Sequence, residues 1–187
     1  MDIKELLSKI HIASGLDPDF RLAANAGELK DGKTMLNLKR FSEKHSLEGE
    51  IAAKLFCLNS GDKNIGFNIG AEILRDCYGK VNYFVAPVFN ADIFNSTAAI
   101  LKAYRKDIRI TAVCSGSLPD GTDLSVIDET MNISEADANI YKTEISNTEQ
   151  ISIGSLSASA VKAAMDISKK ICDKHARIVV LFPDAEK

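Results

Sequence analysis

The stretch VNYFVAPVFNAD, residues 81–92, joins a predicted strand to a predicted helix and decides the class of fold. Residues 81–86 are mostly apolar, which is typical of a strand buried on both faces of a parallel sheet. The helical pattern then runs from Ile93 to Tyr104. A strand that enters a helix through a short turn is a common place for a phosphate, because free backbone N–H groups and the helix dipole favour an anion there.

The composition of this turn argues against a bound phosphate. The turn contains no glycine, so the side chains of Phe89 and Ala91 stand where the backbone would have to approach an anion closely. Asp92 adds a negative charge of its own. We therefore predict that Asp92, together with Asn90, accepts hydrogen bonds from the first N–H groups of the helix and takes the place of an external anion.

Strands and helices alternate along the rest of the chain. Hydrophobic patterns predict strands at residues 50–58, 108–113 and 178–182, and helices at residues 67–77 and 155–174. Ser155 is predicted to cap the last helix. The alternation predicts an α/β fold with a mostly parallel sheet flanked by helices on both faces, and a ligand crevice at the carboxyl ends of its strands. Pro87, Ser115 and Asp184 should gather in that crevice.

Length and composition predict one domain. The chain has 187 residues, of which 45% are hydrophobic, enough for one sizeable core. Residues 1–30 are predicted to form a short amphipathic helix and an irregular arm, and residues 31–187 a single α/β domain. The formal net charge of −3 leaves no basic surplus, and no block of Lys and Arg is interleaved with aromatic residues, so we expect no nucleic-acid partner. No apolar run approaches the roughly 20 residues of a membrane span, so we expect a cytoplasmic protein.

The cysteines and histidines predict no metal site. The four cysteines are far apart, without a C-x-x-C pair, and the three histidines are not clustered. Cys57 and Cys114 lie in apolar runs and are predicted to be reduced core thiols. Cys77 and Cys172 lie near predicted helix ends and receive no role.

A series of segments resembles, in order, the motifs of the cysteine synthases (O-acetylserine sulfhydrylases). DGKTML (31–36) and LKRFS (38–42) resemble the family's I-G-N-T-P-L and L-x-R, and residues 50–59 resemble A-K-L-E-x-x-N-P. GAEIL (70–74) and GKVNYFVA (79–86) are similar to G-P-E-I and G-K-V-D-x-F-V-A. SVIDE (125–129), IGSLS (153–157) and IVVLFPD (178–184) are similar to V-I-D-E, V-G-I-S-S-G and I-V-V-L-L-P-D. The resemblance implies a reduced form of the tryptophan synthase β-like fold, in which the domain at 31–187 joins pieces of the family's N- and C-terminal domains.

This chain departs from the family at the residues that would hold pyridoxal phosphate. The family's phosphate loop, G-x-G-T-G-G-T, corresponds to residues 87–93, which lack every one of its glycines. The family's Schiff-base lysine aligns with Ile65, and a two-residue deletion would bring Lys63 into register. The serine that would meet the pyridine nitrogen falls on Leu156, between Ser155 and Ser157. The family's S-G-N-T-G loop has no counterpart.

The resemblance and the departures together favour a non-catalytic or regulatory protein without a cofactor, and the resemblance implies a homodimer. The site-equivalent positions are then Asn90, Asp92, Ser155 and Ser157, without a cofactor-binding role. The alternative is a minimal enzyme that makes cysteine from O-acetylserine and sulfide. In that enzyme Lys63 holds pyridoxal phosphate, and its phosphate is bound by Asn90, Asn95, Ser96 and Thr97. A third possibility is a small-molecule pocket near Ser115, Gly116 and Asp184.

Overall fold

The computed structural model describes residues 35–56 and 65–186. Its strands are β1 Met35–Asn37, β2 Glu50–Leu55, β3 Tyr83–Pro87, β4 Arg109–Cys114, β5 Glu129–Asn132, β6 Ser152–Ile153, β7 Arg177–Phe182 and β8 Ala185–Glu186. Its α-helices are α1 Lys39–Lys44, α2 Ile65–Asp76, α3 Ala91–Tyr104, α4 Glu135–Glu149 and α5 Ser155–Lys170. The predicted N-terminal helix and arm, Cys57 and Lys63 lie outside the described residues.

The prediction of a mostly parallel α/β sheet is confirmed. Six strands lie in the order β1-β2-β7-β3-β4-β5, and every pair is parallel except β1 with β2. The last long strand, β7, therefore enters the middle of the sheet, between β2 and β3. Strands β6 and β8 form a separate antiparallel pair. Because the central strands are parallel, their carboxyl ends lie along one edge of the sheet.

The continuous apolar run of β7 follows from its central place. Ile178, Val180 and Phe182 belong to the core layer that contains buried residues of α1, α4 and α5. Val179 and Leu181 belong to the opposite layer, with buried residues of α2 and α3. Successive side chains of a strand point to opposite faces, so a strand covered on both sides must be apolar at every position.

Some boundaries and elements differ from the sequence prediction. The predicted strand at 81–86 runs from Tyr83 to Pro87, and the predicted helix at 155–174 ends at Lys170. The hydrophobic patterns of the sequence predict neither β5 nor α4. Strand β5 lies at the sheet edge with mostly exposed side chains, and α4 buries only Ala138, Ile145 and Glu149. Neither element therefore has the hydrophobic periodicity that predicts a strand or a helix.

The three described cysteines are free and differ in exposure. Cys77 is buried after the end of α2, and Cys172 is exposed. Cys114 is half-buried at the end of β4, so the prediction that it is a core thiol is wrong. Burial raises the pKa of Cys77 to about 11, although the nearby Arg177 guanidinium lowers it in part. Within the described residues, no group of acidic, histidine or cysteine side chains has the arrangement of a metal site, and no helix could cross a membrane.

The buried thiol of Cys77 predicts a loss of stability at alkaline pH. The folded thiol keeps its proton up to about pH 11, whereas an unfolded thiol loses it near its ordinary pKa of 9.0. The free energy of unfolding should therefore fall as the pH rises through this window, by on the order of 2 kcal/mol. Urea unfolding of wild type and Cys77→Ala across this range measures it, with Cys172→Ala as control. The same pH slope in wild type and Cys77→Ala would contradict the assignment.

Candidate functional site

A cavity of about 350 Å³ opens at the carboxyl ends of β3 and β4. Pro87 and Val88 form one wall, and Val113 and Cys114 form the next. The remaining walls come from the loop that follows β4 and from the first turns of α4 and α5. The predicted crevice at the strand ends is therefore present in the structure, and it contains Ser115 as well as Pro87.

The lining of the cavity combines an apolar floor with hydroxyl groups. Its apolar residues are Pro87, Val88, Val113, Pro119, Ile133, Ala138 and Leu156. Its polar residues are Cys114, Ser115, Ser117, Glu135, Ser155 and Ser159. Among the described lining residues, Glu135 is the sole charged one, so the part of the lining that the structure describes contains no cation for a phosphate.

Two asparagines hold the loop that follows β4 in place. The Asn132 side chain accepts from Gly116 N–H (3.1 Å) and donates to Gly116 O (3.3 Å). Asn95 Nδ2 donates to Gly121 O, and Asn95 Oδ1 accepts from Asp123 N–H, both at 2.9 Å. Hydrogen bonds from the hydroxyl and N–H of Ser125 lower the pKa of Asp123. The loop is thus held by the amide nitrogen and the amide oxygen of both asparagine side chains. The enzyme alternative assigns Asn95 to phosphate, but its side chain makes these hydrogen bonds within the chain instead.

The first turn of α3 is capped by Asn90. The Asn90 Oδ1 atom accepts from Ile93 N–H at 3.0 Å, and Asn90 has the extended backbone of a capping residue, with φ −147° and ψ 120°. Asp92 lies inside the helix, exposed and without a hydrogen bond to another described residue. The prediction that Asp92 caps the helix is therefore wrong. Because the helix begins at Ala91, Asp92 lies within the first turn. Its carboxylate there interacts with the helix dipole and does not cap an N–H group.

Side chains fill the turn that precedes α3. Val88 is 7% exposed, and the ring of Phe89 lies 6.2 Å from that of Phe56 between centroids. Thr97, which the enzyme alternative also assigns to phosphate, is wholly buried. Its Oγ1 atom lies 2.9 Å from Gly66 O and 2.8 Å from Ile93 O, between α2 and α3. Ser96 is exposed on the same helix.

The first turn of α5 is capped by Asp184, which comes from the turn after β7. Its Oδ2 atom accepts from Leu156 N–H and its Oδ1 atom from Ser157 N–H, both at 2.9 Å. The Ser157 hydroxyl also donates to Oδ1. The prediction that Ser155 caps this helix is wrong, because Gly154 occupies the capping position and Ser155 lines the cavity. Asp184 lies 27 residues from Ser157 along the chain, so no local sequence pattern indicates the contact.

Gly154 is required by this cap. A Cβ atom at this position would lie 2.1 Å from Asp184 Oδ2, which no real contact allows. Ser157 is wholly buried beneath the same carboxylate. Leu156, with which the resemblance aligns the family's pyridine-contacting serine, is 41% exposed and borders the cavity. The chain thus presents an aliphatic side chain where the resemblance places a hydroxyl.

The first turn of α4 is also capped by a side chain of this chain. Ser134 Oγ accepts from Asp137 N–H at 3.1 Å, and the turn contains the carboxylates of Glu135 and Asp137. Within the part of the chain that the structure describes, α3, α4 and α5 begin near the cavity, and each is capped by a side chain of this chain. Each first turn also contains or binds a carboxylate, which opposes a second anion there.

The assignment of the α3 cap can be tested with two neighbouring substitutions. Asn90→Ala removes the acceptor of Ile93 N–H and should lower the free energy of unfolding by about 0.5–2 kcal/mol. Asp92→Ala removes a charge that is exposed and should cost less. Denaturant unfolding of both variants measures which substitution lowers the free energy of unfolding more. A larger loss for Asp92→Ala would contradict the assignment.

The Asp184 cap predicts a second effect on stability. Asp184→Ala removes the acceptor of two backbone N–H groups at once and should destabilise the fold by about 1–3 kcal/mol. Ser155→Ala, at the residue that the sequence predicts as the cap, should change stability by less than about 0.5 kcal/mol. Thermal unfolding of the two variants measures the difference. Equal effects would show that Asp184 is not the functional cap.

Comparison with known proteins places this fold beside sulfur amino-acid enzymes. No protein-family model matches the chain. A cysteine synthase from Aquifex aeolicus is 24% identical over 135 residues, which cover 63% of this chain and 41% of that protein. A hydrogen sulfide-producing enzyme from Fusobacterium nucleatum superposes with a TM-score of 0.60 and 28% identity, over 64% of this chain and 48% of that one.

A second structural relative is a cystathionine beta-synthase from Bacillus anthracis, with a TM-score of 0.54 and 29% identity over 64% of this chain and 42% of that one. This chain spans less than half the length of each of these relatives. The order of the sequence motifs, the sheet topology and the similarity in sequence and structure all indicate the same group of proteins. The chain is a cysteine synthase-like protein with the α/β fold of the fold-type II pyridoxal-phosphate enzymes, matched over about two thirds of its length.

Proposed function

We propose that this chain is a non-catalytic, cysteine synthase-like binding or regulatory protein that does not hold pyridoxal phosphate. The observation that carries the proposal is the set of caps at the strand ends. Asn90, Ser134 and Asp184 each accept N–H groups at the start of a helix. An anionic cofactor needs backbone N–H groups of this kind as hydrogen-bond donors, and here they already donate to side chains of the chain.

The described residues do not fit the cofactor phosphate. A phosphate cradle requires close backbone approach and free N–H donors, which glycines provide. Here Val88 is buried in the turn and Phe89 packs near Phe56. Glu135 faces the same cavity, and no described lining residue is a lysine or arginine. A phosphate would therefore lose its hydration without gaining the partners that replace it.

The other side of the crevice supports the same proposal. The resemblance places the serine that meets the pyridine nitrogen at Leu156, whose side chain offers neither a donor nor an acceptor. Its neighbour Ser157 is buried and donates to Asp184. Ser155 lines the cavity one position earlier, a rotation of about 100° around the helix from Leu156. The position that the resemblance assigns to this serine therefore offers no hydroxyl, which supports the proposal.

A minimal enzyme remains the second candidate, because the relatives named above are enzymes. Under this alternative Lys63, which lies outside the described residues, would hold pyridoxal phosphate, and the chain would make cysteine from O-acetylserine and sulfide.

The resemblance also supports a homodimer, and a cytoplasmic location completes the proposal. Light scattering on the purified chain tests the dimer, since its mass should be twice that of one 20.3 kDa chain.

Incubation with pyridoxal phosphate separates the two candidates. We expect no visible absorbance from a protein-bound cofactor and no rise in melting temperature, since a ligand that binds the folded state must stabilise it. After borohydride reduction, mass spectrometry should find no specific lysine adduct. The exposed Lys80 supplies the matched control variant, Lys80→Ala. An adduct that wild type and Lys80→Ala form, and that Lys63→Ala loses, would overturn the proposal in favour of the enzyme.

A further inference from the structure

We infer that the strand-end cavity binds a small organic ammonium compound, with its apolar body inside and its charged group at Glu135. The inference rests on the proposed function, because a cofactor in the crevice would compete for the same space. The volume of about 350 Å³ lies within the usual range for small-molecule pockets, about 300–1,000 Å³. The occupant is therefore a compact molecule rather than a peptide.

The floor of the cavity is apolar and tightly buried. Val88 and Ile133 are each 7% exposed, Ala138 is 2% exposed and Val113 is 1% exposed. With Pro87 they form the closed side of the cavity, and Leu156, which is 41% exposed, adds the more accessible hydrocarbon surface. An apolar ring or short alkyl chain that displaces water from this surface gains free energy in proportion to the area covered.

The charge of the described lining favours a cation over an anion. Glu135 is the sole charged residue among the described lining residues. The N–H groups that would attract an anion at the start of α5 already bind Asp184, another carboxylate. An ammonium group next to Glu135 gains a favourable charge interaction, whereas a carboxylate or phosphate at the same place is repelled.

The hydroxyl groups of the lining suit a donor-rich ligand. Ser159 Oγ donates to Leu156 O at 2.7 Å, so its remaining capacity is that of an acceptor. Ser115, Ser117 and Ser155 add three further hydroxyls around the same space. An ammonium group has three N–H donors and no acceptor, so carboxylate and hydroxyl oxygens together can satisfy it.

The wall is also built before any ligand arrives. Asn132 and Asn95 hold the loop after β4 through four hydrogen bonds between their side-chain amides and its backbone. A preformed wall avoids the cost of ordering a loop on binding. Cys114 lies in this wall and is half-buried, which makes its thiol a local reporter of occupancy.

The experiment compares three probes with the same ring and different charges: benzylamine, benzyl alcohol and benzoate. Mass spectrometry follows the rate at which iodoacetamide alkylates Cys114, with the exposed Cys172 as internal reference. Benzylamine should slow the alkylation of Cys114 in a saturable manner and leave the alkylation rate of Cys172 unchanged. Benzyl alcohol should protect less, and benzoate should not protect. The amide NMR shifts of Gly116 and Leu156 report the same binding independently of thiol reactivity.

Paired variants test the role of the carboxylate. Glu135→Gln should raise the half-protective concentration of benzylamine by about two- to fivefold, the effect of one exposed ion pair, and leave benzyl alcohol unchanged. Glu129→Gln, on the edge strand away from the cavity lining, should behave as wild type. Binding of benzoate as strong as that of benzylamine, no saturable shift with any probe, or no effect of Glu135→Gln would overturn the inference.

These outcomes are separable from those of the cofactor experiment. A pyridoxal adduct lost in Lys63→Ala contradicts the proposed function, whatever the probes do. The absence of benzylamine binding in protein that forms no adduct overturns only this inference.

Discussion

Backbone N–H groups in the first turn of a helix need an acceptor, and the candidate site is organised by how this chain supplies it. The carboxylate of Asp184 reaches from the turn after β7 to the N–H groups of Leu156 and Ser157. It ties the central strand to the start of α5, and it requires glycine at position 154. The same contact places a carboxylate on the N–H groups that could otherwise receive an anion at the start of α5.

The consequences extend to the rest of the strand-end edge. Asn90 caps α3 and Ser134 caps α4, so the donors of all three helices near the cavity are engaged in part within the chain. The described lining of the cavity consists of apolar residues, hydroxyl groups, the Cys114 thiol and one carboxylate, that of Glu135. The chain shares the sheet and helix arrangement of its structural relatives over about two thirds of its length, and we propose that the chemistry of its crevice differs from theirs. Fold and site chemistry can separate in this way because core packing and ligand contacts depend on different residues.

The sequence predicted the elements whose burial leaves a periodic pattern. Strand β7 is apolar at successive positions because both of its faces are covered, and its pattern marked it clearly. Strand β5 and helix α4 gave no such signal, since the first is an exposed edge and the second buries few side chains. The capping predictions failed at Asp92 and Ser155 for a different reason. Helix starts are uncertain by a residue or two, and a cap depends on exact position.

The amino-acid sequence by itself determined the α/β class, the parallel sheet and the absence of a glycine-rich turn after β3, because hydrophobic periodicity and residue type act locally. The caps of α3 and α4 come from residues three positions before the N–H groups they accept, whereas the tertiary structure alone decided the acceptor of α5 and the contacts that hold the loop after β4. Asp184 lies 28 residues from Leu156 along the chain, and Asn95 lies 26 residues from Gly121. Contacts at such separations arise only when the sheet brings strand ends together, so no local pattern can encode them.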